Sequence, residues 1–172
     1  MQIQEFLNLS IGKWFCQRTS YLLNPEQAEN SKSEITISEL NSEHPEVVRL
    51  CQKHDLNPQQ AYGGIKAAWD NSVDWGKPKA NGFSVLVVIP DGEESKTGKA
   101  LQQTNQQSSL EGSYIIGNDD ALTLMVETPD LVIKERIWFP SDNLRMRTCI
   151  IQSQQGWSKT SFYSEIRKLA TT

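Results

Sequence analysis

From residue 62 onward, turn chemistry interrupts the chain so often that only short elements fit between the breaks. Lys77-Pro78, Pro90-Asp91-Gly92, Gly117-Asn118-Asp119-Asp120, Thr128-Pro129-Asp130, Pro140-Ser141-Asp142-Asn143 and Gln155-Gly156 are all sequences that reverse a chain. Strand-like apolar runs lie between them, over residues 65–71, 83–89, 98–104, 112–117, 122–127, 131–139, 144–152 and 158–168. Parallel neighbours need a crossover of about a dozen residues or more, so gaps this short impose antiparallel pairing. An antiparallel meander of this length exposes two edges unless it closes on itself, and a barrel removes them. The competing solution is a two-sheet sandwich with a filled core.

The first sixty residues add two strands and two helical pieces. Ile3, Phe6 and Leu7, followed by Leu9 and Ile11, read as one or two helical turns ending at Gly12. After Gly12 the period becomes two: Trp14, Cys16 and Arg18 alternate with Phe15 and Gln17, and the strand runs to Leu23 before Asn24-Pro25. Residues 33–40 alternate again through Ile35 and Ile37. Pro45 then opens an amphipathic helix over 46–54 carrying Val47, Val48, Leu50 and Cys51. The expectation is a mostly β chain: an up-and-down antiparallel β-barrel of about ten strands with one or two short helices. At 172 residues, one domain over 1–172 fits the usual range of roughly 100–200. Barrels of roughly eight to ten strands hold one small ligand, and five tryptophans suit either an apolar core or an aromatic-lined pocket.

Charge and cysteine usage narrow the function classes. Seventeen basic and 21 acidic residues give a net charge of -4 with both signs spread along the chain, which offers no basic stripe for phosphates and disfavours nucleic-acid binding. The longest apolar run, 85–89, is far short of the roughly 20 residues that cross a bilayer, and MQIQEFLNLS lacks the charged and apolar regions of a signal peptide. The expected location is the compartment of synthesis, with no membrane partner. Cys16, Cys51 and Cys149 are odd in number and widely spaced, which fits reduced thiols, and two histidines are too few for a histidine-rich metal centre.

Gly12-Lys13-Trp14, where a short helix gives way to a first strand, resembles the G-x-W opening of the lipocalin or calycin superfamily. In that superfamily the Trp plugs the barrel floor under an arginine of a late strand, for which Arg167 is the candidate. The resemblance sharpens at GKWFCQRTS (12–20), Trp69-Asp70 with Asp74-Trp75, VLVVIPD (85–91), GSYIIGNDDALTLMVE (112–127), ERIWFPSDNLRMRT (135–148) and SFYSEIRK (161–168). Together these are similar to the S-type phycobiliprotein lyases, the CpcS/CpeS family, over essentially the whole chain. The resemblance implies a chromophore lyase that binds a phycobilin, with phycocyanobilin the expected one. It attaches the bilin through a thioether to a cysteine of apo-phycobiliprotein α or β subunits, in the cyanobacterial cytosol or an algal plastid stroma. The bilin is then substrate, and no cofactor or metal is expected. Cys16, Cys51 and Cys149 need no catalytic role, since the nucleophile belongs to the acceptor.

A bilin presents a long conjugated face and two propionates, so a binder needs flat aromatic walls and cations shaped for carboxylates. Arg18, Arg145 and Arg147 lie on expected strands, and the last two, two residues apart, share a face. They are candidate ligand contacts, against the plain reading of solvent-facing or floor-plugging arginines. Trp69 and Trp75 flank an expected turn near a barrel mouth, where their rings could stack on the ligand; ordinary core tryptophans are the other reading. Tyr21 completes the candidate ligand set. Glu135 shares a face with Ile137 and Phe139. On a lumen face it is a carboxylate among apolar neighbours, its charged form disfavoured, and a candidate proton donor; a salt bridge to a neighbouring strand is the alternative.

Two features depart from the family pattern. Tyr21-Leu22 stands where many relatives carry a His-His pair, and 101–109 is rich in glutamine. Both fit a helper subunit of a heterodimeric lyase, the CpcU-like branch. A homodimer, a heterodimer with another S-type chain, or a bilin or small-ligand carrier without transfer activity are the further possibilities.

Overall fold

The computed structural model describes residues 1–24, 26–92 and 95–169. Ten strands follow one another around a closed antiparallel barrel: β1 (Gly12–Leu23), β2 (Gln27–Asn41), β3 (Gly63–Asp70), β4 (Asn81–Pro90), β5 (Thr97–Thr104), β6 (Leu110–Ile116), β7 (Leu122–Glu127), β8 (Leu131–Ser141), β9 (Leu144–Ser153) and β10 (Ser158–Arg167). β10 pairs with β1 and closes the ring, so the barrel wins over the sandwich. Each expected strand is present within a few residues of its expected ends. β2 is the exception: it starts at Gln27 rather than at 33. Its first residues pair with β1 alone, because pairing with β3 begins only at Glu34, and a segment without a buried face has no apolar alternation to betray it. Asn24 ends β1 with a left-handed φ of 61°, whereas Pro25, the other half of that expected break, lies outside the described residues.

The two helices sit on opposite sides of the wall. α1 (Ile3–Ser10) closes the floor: Ile3, Phe6 and Leu7 are buried against Val88, Tyr114, Leu122 and Ile137 inside the barrel. α2 (Pro45–Lys53) begins at Pro45, with His44 Nδ1 accepting from the Glu46 N–H at 3.2 Å. It lies outside the barrel, where Val47, Leu50 and Cys51 cover Val85, Val87, Ile89 and Leu101. This explains the unbroken run at 85–89. Even positions of β4 face the lumen, odd ones face α2, and a strand covered on both sides reads as continuous rather than alternating hydrophobicity. Full burial of each such aliphatic side chain contributes about 1.5–3 kcal/mol.

The floor has the expected plug. Trp14 is fully buried, its indole N–H donates to the Ser10 carbonyl at 2.9 Å, and the Arg167 guanidinium lies 4.2 Å from its ring. Gly12 makes this possible. Its φ is +136°, and a Cβ there would come within 2.7 Å of Arg167 Nη1.

Candidate functional site

Strand register assembles the lumen side chains in rows. Cys16, Glu165 and Arg145 stand opposite one another across β1, β10 and β9; the next row toward the mouth is Arg18, Tyr163, Arg147 and Ile137. Above it come Ser20, Ser161, Cys149 and Glu135, with the Ser20 and Ser161 hydroxyls 2.8 Å apart. Arg147 occupies the centre. Its Nη1 donates to Glu135 Oε1 at 3.2 Å from the row above, its Nη2 lies 3.7 Å from Glu165 Oε1 in the row below, and its guanidinium stacks 3.8 Å from the Tyr163 ring centre. Burial works against the charge of Arg147, but the two carboxylates more than offset it and raise its pKa above the ordinary arginine value. Arg147 therefore stays cationic.

The three candidate arginines have different surroundings. Arg145 is 4% exposed and its Nε donates to Glu165 Oε2 at 2.5 Å, so its charge is committed inside the protein. Arg18 pairs through Nη2 with Glu29, an exposed residue, at 3.1 Å. The Nε atoms of Arg18 and Arg147 are both buried, and neither has a hydrogen-bond partner among the described residues. They flank Tyr163, and both arginines line a cavity of about 400 Å³ together with Trp69, Ile35 and Cys16. On its other side Arg147 also lines a cavity of about 210 Å³, shared with Glu135, Ile137, Arg145 and Phe6. One guanidinium thus joins two chambers of the lumen.

Two candidate contacts lie elsewhere. Tyr21 is 49% exposed, because strict alternation from Trp14, Cys16 and Arg18 sends odd positions of β1 outward. Trp75 sits on the 71–80 connection at the mouth, as its flanking position suggested, but it is 91% exposed and lines neither lumen cavity. The neighbours of Trp75 hold that connection against β2: Asp74 accepts from the Lys32 N–H at 3.0 Å, and Lys77 donates to the Asn30 carbonyl. Glu135 does face the lumen with Ile137, and it does so as the partner of Arg147, so the salt bridge considered for it is present.

Sequence reasoning passed over Glu165 and Tyr163. Glu165 is fully buried between the two arginines, and one of its oxygens lacks a hydrogen bond. The signal was available: once Arg167 is placed on the floor, alternation puts 165 and 163 on the same inner face. The thiols inside the barrel are protonated at neutral pH. Burial, then Glu165, pushes Cys16 up to about 11, and burial, then Glu135, pushes Cys149 up to about 12. They behave as small apolar groups rather than nucleophiles.

Comparison with known proteins gives this arrangement a family. The family model described as CpeS-like protein matches residues 2–168. The chromophore lyase CpcS/CpeS of Thermosynechococcus vestitus is 40% identical over 169 residues, which is 97% of this chain and 93% of that protein. The phycocyanobilin lyase subunit CpcS of a Picosynechococcus species is 30% identical, covering 95% of this chain and 85% of that protein. Among solved structures, the S-type phycobiliprotein lyase CPES from Guillardia theta superposes with a TM-score of 0.85 at 28% identity, over 99% of this chain and 95% of that one. The chain belongs to the CpeS-like family.

Proposed function

We propose that this protein binds a linear tetrapyrrole in its lumen and catalyses attachment of the bilin to a cysteine of an apo-phycobiliprotein subunit. The observation that carries the reading is the pair of guanidinium groups, Arg18 and Arg147, on either side of Tyr163. Each has a buried Nε without a partner, and both line the larger cavity. A planar guanidinium takes a carboxylate bidentately through Nε and Nη, and two such forks match the two propionates of a bilin. Trp69 in the same wall supplies a face for the conjugated system.

The reaction adds the acceptor thiol across the ring A ethylidene double bond: sulfur bonds to the ethylidene carbon, a proton goes to the neighbouring ring carbon, and no oxidant or reductant is consumed. The lyase contributes orientation, which converts an encounter between thiol and pigment into a near-intramolecular step. Glu135, held by Arg147, is placed to exchange a proton with the pigment. The bilin is substrate, and the scheme uses no separate cofactor. The reaction is assigned to the cytosol or plastid stroma; no helix among the described residues is long and apolar enough to cross a membrane, and the named curated relatives are cyanobacterial.

The test is incubation of the purified chain with phycocyanobilin, with and without apo-phycocyanin and apo-allophycocyanin subunits, followed by denaturing gels scored for covalent pigment. Pigment on the acceptor with this chain alone establishes an autonomous lyase. Bilin binding without transfer makes it a carrier or a helper that needs a second S-type chain. Glu135→Gln should keep bilin binding and slow transfer at least tenfold; an unchanged rate removes the proton role.

A further inference from the structure

One stretch of the barrel wall is closed by side chains instead of by a backbone ladder. Residues 27–33 of β2 pair with β1 on one side and, among the described residues, with no strand on the other, because β3 meets β2 only from Glu34 onward. The connection between β3 and β4, residues 71–80, stands in the missing place. Asp74 accepts from the Lys32 N–H at 3.0 Å and Lys77 donates to the Asn30 carbonyl, so two side chains cap backbone groups that a neighbouring strand would otherwise pair. The Lys32 N–H holds the Asp74 carboxyl below the usual carboxylate range, which keeps it ionised as an acceptor. Within itself the connection is a firm unit. Asn71 ties its two ends together: its N–H donates to the Ala80 carbonyl at 3.1 Å, its Oδ1 accepts from the Ala80 N–H at 2.7 Å, and its Nδ2 donates to the Pro78 carbonyl at 2.8 Å.

The same segment walls the chamber of about 400 Å³, where Asp74, Lys77 and Pro78 stand with Arg18 and Trp69. We propose that residues 71–80 are the gate of this chamber. The Asp74 and Lys77 contacts to β2 release, the segment swings as one unit about its junctions with Asp70 and Asn81, and the ligand passes between it and the free edge of β2. The physical reason lies in what must break. Parting two paired strands breaks a run of ladder bonds together, whereas parting this segment from β2 breaks two exposed contacts whose backbone groups water then takes up. Trp75 points away at 91% exposure, so its ring adds no buried area that would hold the segment shut. A compact loop with tied ends that covers a ligand chamber is the usual build of a lid. That the ligand is a bilin rests on the proposed function; the gate rests on the wall alone.

Labelling of Cys16, which lines the same chamber, reads the gate without pigment. The charges acting on its thiol are Glu165, Arg147 and Arg145, so removing Asp74 and Lys77 alters its access and not its acidity. In the full chain carrying Asp74→Ala and Lys77→Ala, modification of Cys16 by N-ethylmaleimide, mapped by mass spectrometry, should run at least tenfold faster than in the wild type. Cys51, buried between α2 and the outer wall, should keep its rate and reports any general loosening. Lys79→Ala, on the same segment, should change neither. Stopped-flow absorbance with phycocyanobilin should show association and dissociation accelerated by similar factors in the double variant. An unchanged Cys16 rate overturns the gate, as does a rise at Cys51 that matches the rise at Cys16. Weaker pigment affinity with an unchanged association rate makes Asp74 and Lys77 ligand contacts and overturns it too. A wild type that takes up no pigment removes the proposed function, and the Cys16 rate still decides the gate.

Discussion

The barrel uses arginine in two opposite ways, and the difference separates its floor from its lumen. Arg167, on the floor, bonds only to backbone, with an acceptor on each of its three nitrogens: Nε donates to the Asp142 carbonyl at 3.0 Å, Nη1 to Ile11 at 2.7 Å and Nη2 to Leu9 at 2.6 Å, all above the Trp14 ring. No nitrogen of Arg167 is without a partner. Arg18 and Arg147, two rows higher, meet carboxylates on some nitrogens and leave a buried Nε unmatched on each. The floor arginine staples the helix-to-strand entry to the last strand. The lumen arginines keep donor capacity that the fold itself does not use, as a site for a carboxylate ligand requires. Arg145 stands between the two regimes, committed to Glu165 yet lining the smaller chamber.

The comparison breaks if floor and lumen substitutions have the same consequences. The largest effect belongs to the floor. Trp14→Ala removes the ring beneath Arg167 and Arg145 and should cost about 3–5 kcal/mol in urea unfolding, lowering Tm by about 6–20 °C. Next comes Arg145→Ala, which strands the fully buried Glu165 carboxylate and should cost about 3–4 kcal/mol. The double variant Arg145→Met with Glu165→Leu should recover most of that loss, since a well-packed apolar pair often replaces a buried ion pair without penalty. Arg18→Ala sharpens the contrast. Its partner Glu29 is exposed, so stability should change by less than about 1 kcal/mol, while loss of a charged hydrogen bond of about 1.5–3 kcal/mol weakens bilin binding roughly 10-fold to 150-fold in an absorbance titration.

The smallest expected effect is on pH dependence. Folding raises the Cys16 pKa from 9.0 to about 11, so the unfolded chain loses that proton first as pH rises. The stability this thiol contributes is fully present below about pH 9 and is lost as the pH climbs through about 11. Urea midpoints between pH 8 and pH 11 should fall less for Cys16→Ala than for the wild type. Equal slopes would mean that the thiol is not held neutral by its surroundings.

Much of the fold was legible because barrel strands announce themselves twice, by turn residues between them and by alternation within them. β7 (Leu122–Glu127) was bounded by Asp119-Asp120 and Pro129-Asp130, and its ends were read without error. The start of β2 was hidden because residues 27–33 bury no face, and the role of α2 was hidden because a helix does not reveal which wall it covers. In the site, same-face pairing of Arg145 with Arg147 followed from the two-residue period alone. Tyr21 was assigned to the ligand set although the same period, counted from Trp14, sends it outward. Trp75 was assigned from its place near the mouth, but a residue on a connection has no period to orient its ring.

The amino-acid sequence by itself determined the antiparallel order of the strands and put positions 145 and 147 on one face, because these depend on turn chemistry and on a period of two; the Trp14 plug and its late arginine followed from the family resemblance. Only the tertiary structure decided which arginines are consumed and which are left with donors to spare. That depends on which carboxylate each guanidinium meets across the closed ring: Glu165 and Glu135 reach Arg145 and Arg147 from neighbouring strands, and Glu29 reaches Arg18 across the β1–β2 pair. Closure of β10 onto β1 creates the central row that places Arg18 and Arg147 on either side of Tyr163. Pairing of residues nearly 150 positions apart is a property of the whole barrel, and no local pattern encodes it.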